Sequence, residues 1–275
     1  MKPSYPRQKG SFAINPWSLT VSLCLMITLT VQSAEKTGRQ VMEEQKARHE
    51  ASSEYEKVTM VLVDSSDKKE TRELKRYLKK DNEGLFKYLI RFEAPADVRG
   101  VSLLTWQQKG GEDNQWLYLP AYGEKLKRIA GGGKKSYFMG TDFAYEDLRS
   151  EKLDDHNYQI VKQEKVDNQN CYVIEASPAT EEEQRSSGYG KRILWINTEN
   201  FFTLKAEFYD HSMKLLKAST AYGIKPISGK LMRAEKVLMD HHQNKHKTAM
   251  QTLERTVGES IEDSIFTERS VLSFK

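Results

Sequence analysis

The sequence predicts a mainly β domain built on one large antiparallel sheet or barrel, with few helices. Three observations carry this. Past residue 54 the apolar residues recur with a period near two in many short runs. Turn-forming pairs and triplets separate those runs, among them Gly110-Gly111, Asp167-Asn168, Thr198-Glu199-Asn200, Asp210-His211-Ser212 and Gln243-Asn244-Lys245. No alternation of strands with long helices appears, which disfavours a doubly wound α/β domain. In Thr203 to Asp210, Leu204, Ala206 and Phe208 share one side and Lys205, Glu207 and Tyr209 the other, as in a sheet with one solvated face.

Residues 1–34 stand apart. They hold Lys2, Arg7 and Lys9 but no acid, then the apolar run Trp17 to Val31, then Gln32, Ser33 and Ala34. A basic start, a short apolar stretch and small residues before a charged chain are the layout of a secretory signal. The run is shorter than the about 20 apolar residues of a membrane-spanning helix; an uncleaved anchor is the alternative. Cys24 lies within the run behind Leu23, which does not suit a lipoprotein cut. Residues 35–275 are expected to form a single domain, long enough to bury a full core. That part keeps one cysteine, Cys171, in the strand-like NCYVIEA, where a buried structural thiol is expected. The formal charge of +4 falls to about +1 without the first 34 residues, which removes the case for a nucleic-acid partner.

The elements follow in order. Glu35 to Ser53 reads as a helix with a thin apolar stripe of Val41, Met42, Ala47 and Ala51. Tyr55 to Val63 and Glu70 to Lys80 read as a hairpin around Asp64 to Asp67. Strands are expected at Leu85–Phe92, Val101–Gln107, Gln115–Leu119 and Lys125–Ile129. Further strands are expected at Tyr158–Lys165, Cys171–Ala176, Arg192–Asn197, Thr203–Asp210, Lys214–Tyr222, Leu231–Met239 and Lys247–Arg255. Two stretches break the pattern: the glycine turn and aromatic-acidic run of Ala130 to Leu148, and the tail Ile261 to Phe274, where a short helix is expected. Glu181 to Gly188 reads as an exposed loop.

Chemistry is sparse. The glycines at 131–133 before Lys134-Lys135-Ser136 lack the spacing of a phosphate loop. His241, His242 and His246 are the strongest metal candidates, with His242 and His246 placed to meet across a hairpin, but adjacent strand residues face opposite ways, no acid or thiolate is well placed beyond Asp240, and a solvated tip is the expectation. Asp142, Glu146 and Asp147 sit beside Phe143 and Tyr145, where capping and ion pairing account for them. Asp154-Asp155-His156 has no serine partner in a strand-turn-helix elbow. No catalytic set, metal or cofactor is expected. By contrast, Asp113 to Leu148 carries seven aromatic residues, about twice the density of the whole chain, which points to binding.

The blocks RGVSLLTW (Arg99–Trp106), DNQWLYLP (Asp113–Pro120), KLKRI (Lys125–Ile129), FMGTDFAYEDL (Phe138–Leu148), KAEFYD (Lys205–Asp210) and LLKAS (Leu215–Ser219) occur in this order. Together they resemble the LolA-like outer-membrane lipoprotein-sorting protein family over roughly residues 55–272. The resemblance implies a curved antiparallel incomplete β-barrel, a half-barrel, covered by a few helices over an apolar cavity. It implies a periplasmic, non-catalytic carrier of lipid or lipoprotein acyl chains, and a resistance-nodulation-division inner-membrane exporter as a partner. The chain is expected to act as a monomer. The alternative is an envelope sensor or adaptor that binds a membrane transporter and fills its own interior. Trp106, Trp116, Tyr118, Trp195 and Phe208 are the candidates for lining the cavity, and Phe138, Phe143 and Tyr145 for a lid or strap. Plain core packing is the rival reading for each.

Overall fold

The computed structural model describes residues 1–6, 8–10, 35–123, 125–129 and 133–273. The chain divides into two compact units, Met1–Glu35 and Lys36–Lys275. The apolar run and cut site of the expected secretory signal lie outside the described residues, as do Cys24, Gly131, Gly132 and Phe274.

The second unit begins with helix α1, Gly38–His49. Thr37 starts it with a capping box: its hydroxyl accepts from the Gln40 amide, and the Gln40 side chain accepts from the Thr37 amide. Lys46 and Arg48 occupy the last turn, where cations suit the helix dipole. The helix stops short of the expected Ser53, because Ser53 already pairs with Lys79 in the sheet. Gly38 is required by proximity: a Cβ there would stand 2.5 Å from the Tyr158 carbonyl oxygen.

The strands are β1 Ser53–Val63, β2 Lys69–Lys80, β3 Phe86–Ala94, β4 Ser102–Trp106, β5 Asn114–Tyr118, β6 Leu126–Ile129, β7 His156–Val166 and β8 Gln169–Pro178. After helix α2, Glu181–Ser186, come β9 Lys191–Asn197, β10 Thr203–Tyr209, β11 Leu215–Tyr222, β12 Lys225–Ser228, β13 Leu231–Arg233, β14 Lys236–His241 and β15 His246–Val257. Helix α3, Glu268–Leu272, follows within the predicted tail.

Thirteen strands form one antiparallel sheet in the order β6-β5-β4-β3-β2-β1-β15-β14-β11-β10-β9-β8-β7. Each half is a meander, and the β1–β15 pairing joins the halves. The curved sheet does not close, so β6 and β7 are its two free edges. They are consecutive in the chain, and the segment between them forms a strap. Its described part, residues 133–155, has no strand of its own and contains three short 3-10 turns.

Strand alternation gives the sheet two faces. The strap face carries Met60, Ile90, Phe92, Leu103, Leu117, Ile174, Leu194, Ile196 and Phe208, packed against Val41 and Met42 of α1 and against the strap. The back face carries two smaller clusters. One, around Leu89, Leu104 and Tyr118, is covered by Phe266 and Val271 of the C-terminal segment. The other holds Cys171, Val173, Trp195 and Leu204.

Two expectations need correction. Leu231–Met239 is not one strand: β13 pairs with β12 in a separate two-stranded sheet, and only β14 joins the large one. Gly223, at φ +63, turns the chain out of β11, and the Glu235 amide donates to the Tyr222 carbonyl where the chain returns. Glu181 to Ser186 is helical. The Thr180 hydroxyl accepts from the Glu183 amide, and three glutamates in the first turn suit the N-terminal dipole.

Candidate functional site in the strap and the space beneath it

The strap starts with a tight loop. Tyr137 bridges Ala144, the Phe138 amide donates to the Phe143 carbonyl at 2.8 Å, and Met139 and Gly140 turn the chain at φ +50 and +72. This folds Phe138, Phe143 and Tyr145 onto the strap face of the sheet. Phe138 is fully buried, stacks on Phe92 with ring centroids 5.6 Å apart, and meets Tyr145 edge-on at 5.8 Å.

Polar contacts fasten the strap, since no strand pairing ties it to the sheet's free edges. Lys217 of β11 is fully buried, and its ammonium donates to the Asp147 carboxylate at 2.6 Å and to the Asp142 carbonyl at 2.8 Å. The rings of Tyr137, Tyr189 and Phe208 surround the same ammonium at 5.1–5.2 Å. Asp147 also accepts from the Tyr189 hydroxyl at 2.9 Å and from the Ala144 amide at 2.7 Å. The Asp142 carboxylate meets His246 Nδ1 at 2.7 Å and accepts from the Thr248 hydroxyl at 2.7 Å. The Glu146 carboxylate accepts from the Ser187 hydroxyl and the Gly188 amide, both at 2.8 Å, and burial lifts its pKa above the usual range. Arg72 of β2 donates to the Met139 carbonyl at 2.6 Å.

Two spaces flank the strap. A cavity of about 310 Å³ lies beneath it, with Phe143, Tyr189, Phe208 and Met239 on its apolar side and Glu151, His156 and Arg192 on its polar side. Burial pushes the Glu151 carboxyl up, but the Arg192 guanidinium and His156 pull it below the ordinary range. The Tyr158 hydroxyl donates to Glu151 at 2.8 Å. Burial, aided by Arg192, lowers the His156 pKa to about 4, so this ring is neutral at pH 7. Its Nδ1 lies 3.1 Å from Glu151 without hydrogen-bond geometry. A second space, of about 300 Å³, lies between α1, the strap and the β9–β10 turn, lined by Met42, Gln45, His49, Leu153 and Phe202.

The eight aromatic candidates do not share one surface. Phe138, Phe143, Tyr145 and Phe208 belong to the strap-face cluster, and Phe143 and Phe208 border the 310 Å³ cavity. Trp106, Trp116 and Tyr118 lie on the back face. The two tryptophans meet edge-on at 4.9 Å, and the Trp106 indole donates to the Phe266 carbonyl at 2.8 Å. Trp195 also faces back, with its indole on Glu164 and Lys205 over its ring at 4.4 Å. The reason is the period of two: Leu103 and Leu117 face the strap, so Trp106, Trp116 and Tyr118 face away.

The histidine expectation also shifts. His241 stands opposite His246 and is buried with its ring on the Tyr137 hydroxyl at 2.8 Å, while His242 is exposed at the hairpin tip as expected. Among the described residues no group of His, Cys, Asp and Glu is placed to hold a metal. The sequence reading missed Lys217, Arg192, Glu151 and Tyr189. The local pattern hid Lys217, because its strand neighbours Leu216 and Ala218 are the apolar ones and a register shift beside Leu216 sets the lysine opposite Phe208. Its partner lies 70 residues away, beyond any local pattern.

A family model described as "-like: Uncharacterized protein" matches residues 84–272. No curated protein matches the sequence significantly. Among solved structures, the chain is similar to an outer membrane lipoprotein-sorting protein domain from Vibrio parahaemolyticus, with 31% identity and a TM-score of 0.80 over 86% of this chain and 98% of that one. It is similar to a DUF1329 family protein from Desulfovibrio piger, with 24% identity and a TM-score of 0.79 over 85% and 97% of the two chains. A LolA superfamily protein from Nitrosomonas europaea shares the fold at 22% identity and a TM-score of 0.68, over 86% of this chain and 100% of that one.

Proposed function

Because this chain belongs to the outer-membrane lipoprotein-sorting protein family and has its LolA-like fold, we propose that it is a non-catalytic periplasmic carrier. The cargo is an amphiphile, with the acyl chains of a lipid or lipoprotein held between the sheet and the strap. The observation that carries this reading is the strap itself. It closes an otherwise open half-barrel, supplies Phe138, Phe143, Tyr145 and Leu148 to the core, and is fastened by side-chain contacts to the sheet.

The volumes fit a gated interior. Spaces of about 300 and 310 Å³ lie at the lower end of ligand pockets, which run from about 300 to 1,000 Å³. Movement of the strap adds the volume that its rings now fill. Each buried methylene of a cargo chain contributes about 0.8 kcal/mol, so binding needs apolar area and no covalent step. Phe138, Phe143, Tyr145 and Phe208 are the residues placed to exchange protein contacts for cargo contacts. Trp106, Trp116, Tyr118 and Trp195 serve the back face.

The test is native mass spectrometry of protein purified from its own cell envelope, paired with titration of a fluorescent fatty-acid probe. A co-purifying amphiphile and saturable probe binding are expected; absence of both overturns the carrier reading. One observation favours a second reading, a sensor or adaptor: Phe92 and Phe138 already fill the interior, with both rings fully buried. A partnership with a resistance-nodulation-division exporter rests on the family resemblance. Crosslinking in the native envelope that returns such a transporter, with no lipid bound, would support the adaptor.

A further inference from the structure

The β5–β6 hairpin has a composition that neither the core nor the strap uses. Its tip, Pro120-Ala121-Tyr122, is an exposed apolar 3-10 turn, and Tyr122 is 81% exposed. Lys125, Lys127 and Arg128 follow at once, all exposed. From Leu117 to Ile129 the sequence holds three cations and one acid, Glu124.

The tip is preformed. The Tyr122 amide donates to the Leu119 carbonyl at 2.9 Å, the Gly123 amide to the Pro120 carbonyl at 3.1 Å and the Lys125 amide to the Gly123 carbonyl at 2.8 Å. Gly123 holds φ +85, a conformation that favours glycine. Four register pairs, Gln115↔Ile129 to Tyr118↔Leu126, fix the stem. Lys127 stands opposite Leu117 on the strap face and Arg128 opposite Trp116 on the back face, so the cations emerge on both sides of the stem.

We propose that this hairpin docks the protein on the surface of a bilayer rich in anionic phospholipid. Tyr122 enters the headgroup layer, and Lys125, Lys127 and Arg128 face the lipid phosphates. An amphipathic ring with a polar tip suits that layer, and nearby cations gain from the negative surface potential. The tip is too small for a spanning segment and matches reversible interfacial contact. β6 is also a free edge of the sheet, so docking sets that edge beside the bilayer. The inference deepens the carrier reading by giving it a loading and delivery surface.

The experiment uses Lys36–Lys275, the compact unit that holds all of the described core. It is floated with vesicles of phosphatidylcholine alone and of phosphatidylcholine mixed with phosphatidylglycerol. The wild type is expected to float with the anionic vesicles only, and less so as salt rises. Tyr122→Ser and the triple variant Lys125→Glu, Lys127→Glu, Arg128→Glu are each expected to bind those vesicles more weakly, the triple by about tenfold or more. Both variants should keep the thermal transition and the fatty-acid probe affinity of the wild type. Docking is overturned by no flotation of the wild type, by equal flotation with neutral vesicles, or by variants that float like the wild type. Probe binding is read in the same samples: its absence from all proteins defeats the carrier reading and leaves the vesicle result standing.

Discussion

The ammonium of Lys217 is fully buried 2.6 Å from the Asp147 carboxylate, and the pair joins strand β11 to the strap. A buried cation left without its bonded anion is costly, because the low-dielectric interior does not solvate the remaining charge. Asp147→Ala is therefore expected to destabilise the protein by about 3–5 kcal/mol, and Lys217→Met by less, since that variant leaves no cation behind. Urea unfolding measures both. Equal effects, or a loss below about 1 kcal/mol for Asp147→Ala, would show that the pair does not hold the strap.

His156 makes stability depend on pH in a defined window. Its folded pKa, about 4, lies below its ordinary 6.5, so the unfolded chain binds the extra proton between those values. The contribution is fully present above pH 6.5 and is lost as pH falls towards 4, amounting to roughly 3 kcal/mol. Glu146 works against it. Its raised pKa means the folded state holds the extra proton above 4.5, so its contribution is lost as pH rises through that range. Comparing His156→Gln with the wild type isolates the histidine. The variant should lose less stability between pH 6.5 and 4, and superimposable profiles would refute the assignment.

The two faces of the sheet should respond differently to a fatty-acid probe. Phe138→Ala removes a fully buried ring stacked on Phe92, at a cost of about 3–5 kcal/mol, and vacates space beneath the strap. Probe affinity is expected to rise. Trp106→Phe on the back face loses the hydrogen bond to Phe266 and should leave probe affinity unchanged. A probe that responds to Trp106 and not to Phe138 would place the cargo on the other face.

Gly38 tests the seating of α1 on β7. A Cβ at this position would lie 2.5 Å from a backbone oxygen, which no side-chain rotation relieves. Gly38→Ala is expected to destabilise by about 1–3 kcal/mol despite the better helix propensity of alanine. A thermal melt at or above the wild-type midpoint would show that the helix shifts freely.

The sequence alone determined most of the strands and turns and the class of fold, though not the break between β13 and β14. Those features depend on neighbours within a few residues, and alternations such as Leu204-Ala206-Phe208 record them directly. It also marked Phe138 to Leu148 as a non-strand segment, because an acidic-aromatic run after a glycine turn matches no period. Short elements escaped it: α2 has six residues, too few for periodicity, although the Thr180 cap was written in the chain. Tertiary structure decided which face each strand turns to the strap, because shifting a strand by one residue exchanges the faces without changing the alternation. That choice separated Trp106, Trp116, Tyr118 and Trp195 from Phe138, Phe143, Tyr145 and Phe208. It also brought Lys217 to Asp147 and His246 to Asp142 across 70 and 104 residues. Such pairs follow from closing the two halves of the sheet through β1 and β15, a long-range event that no local pattern of residues encodes.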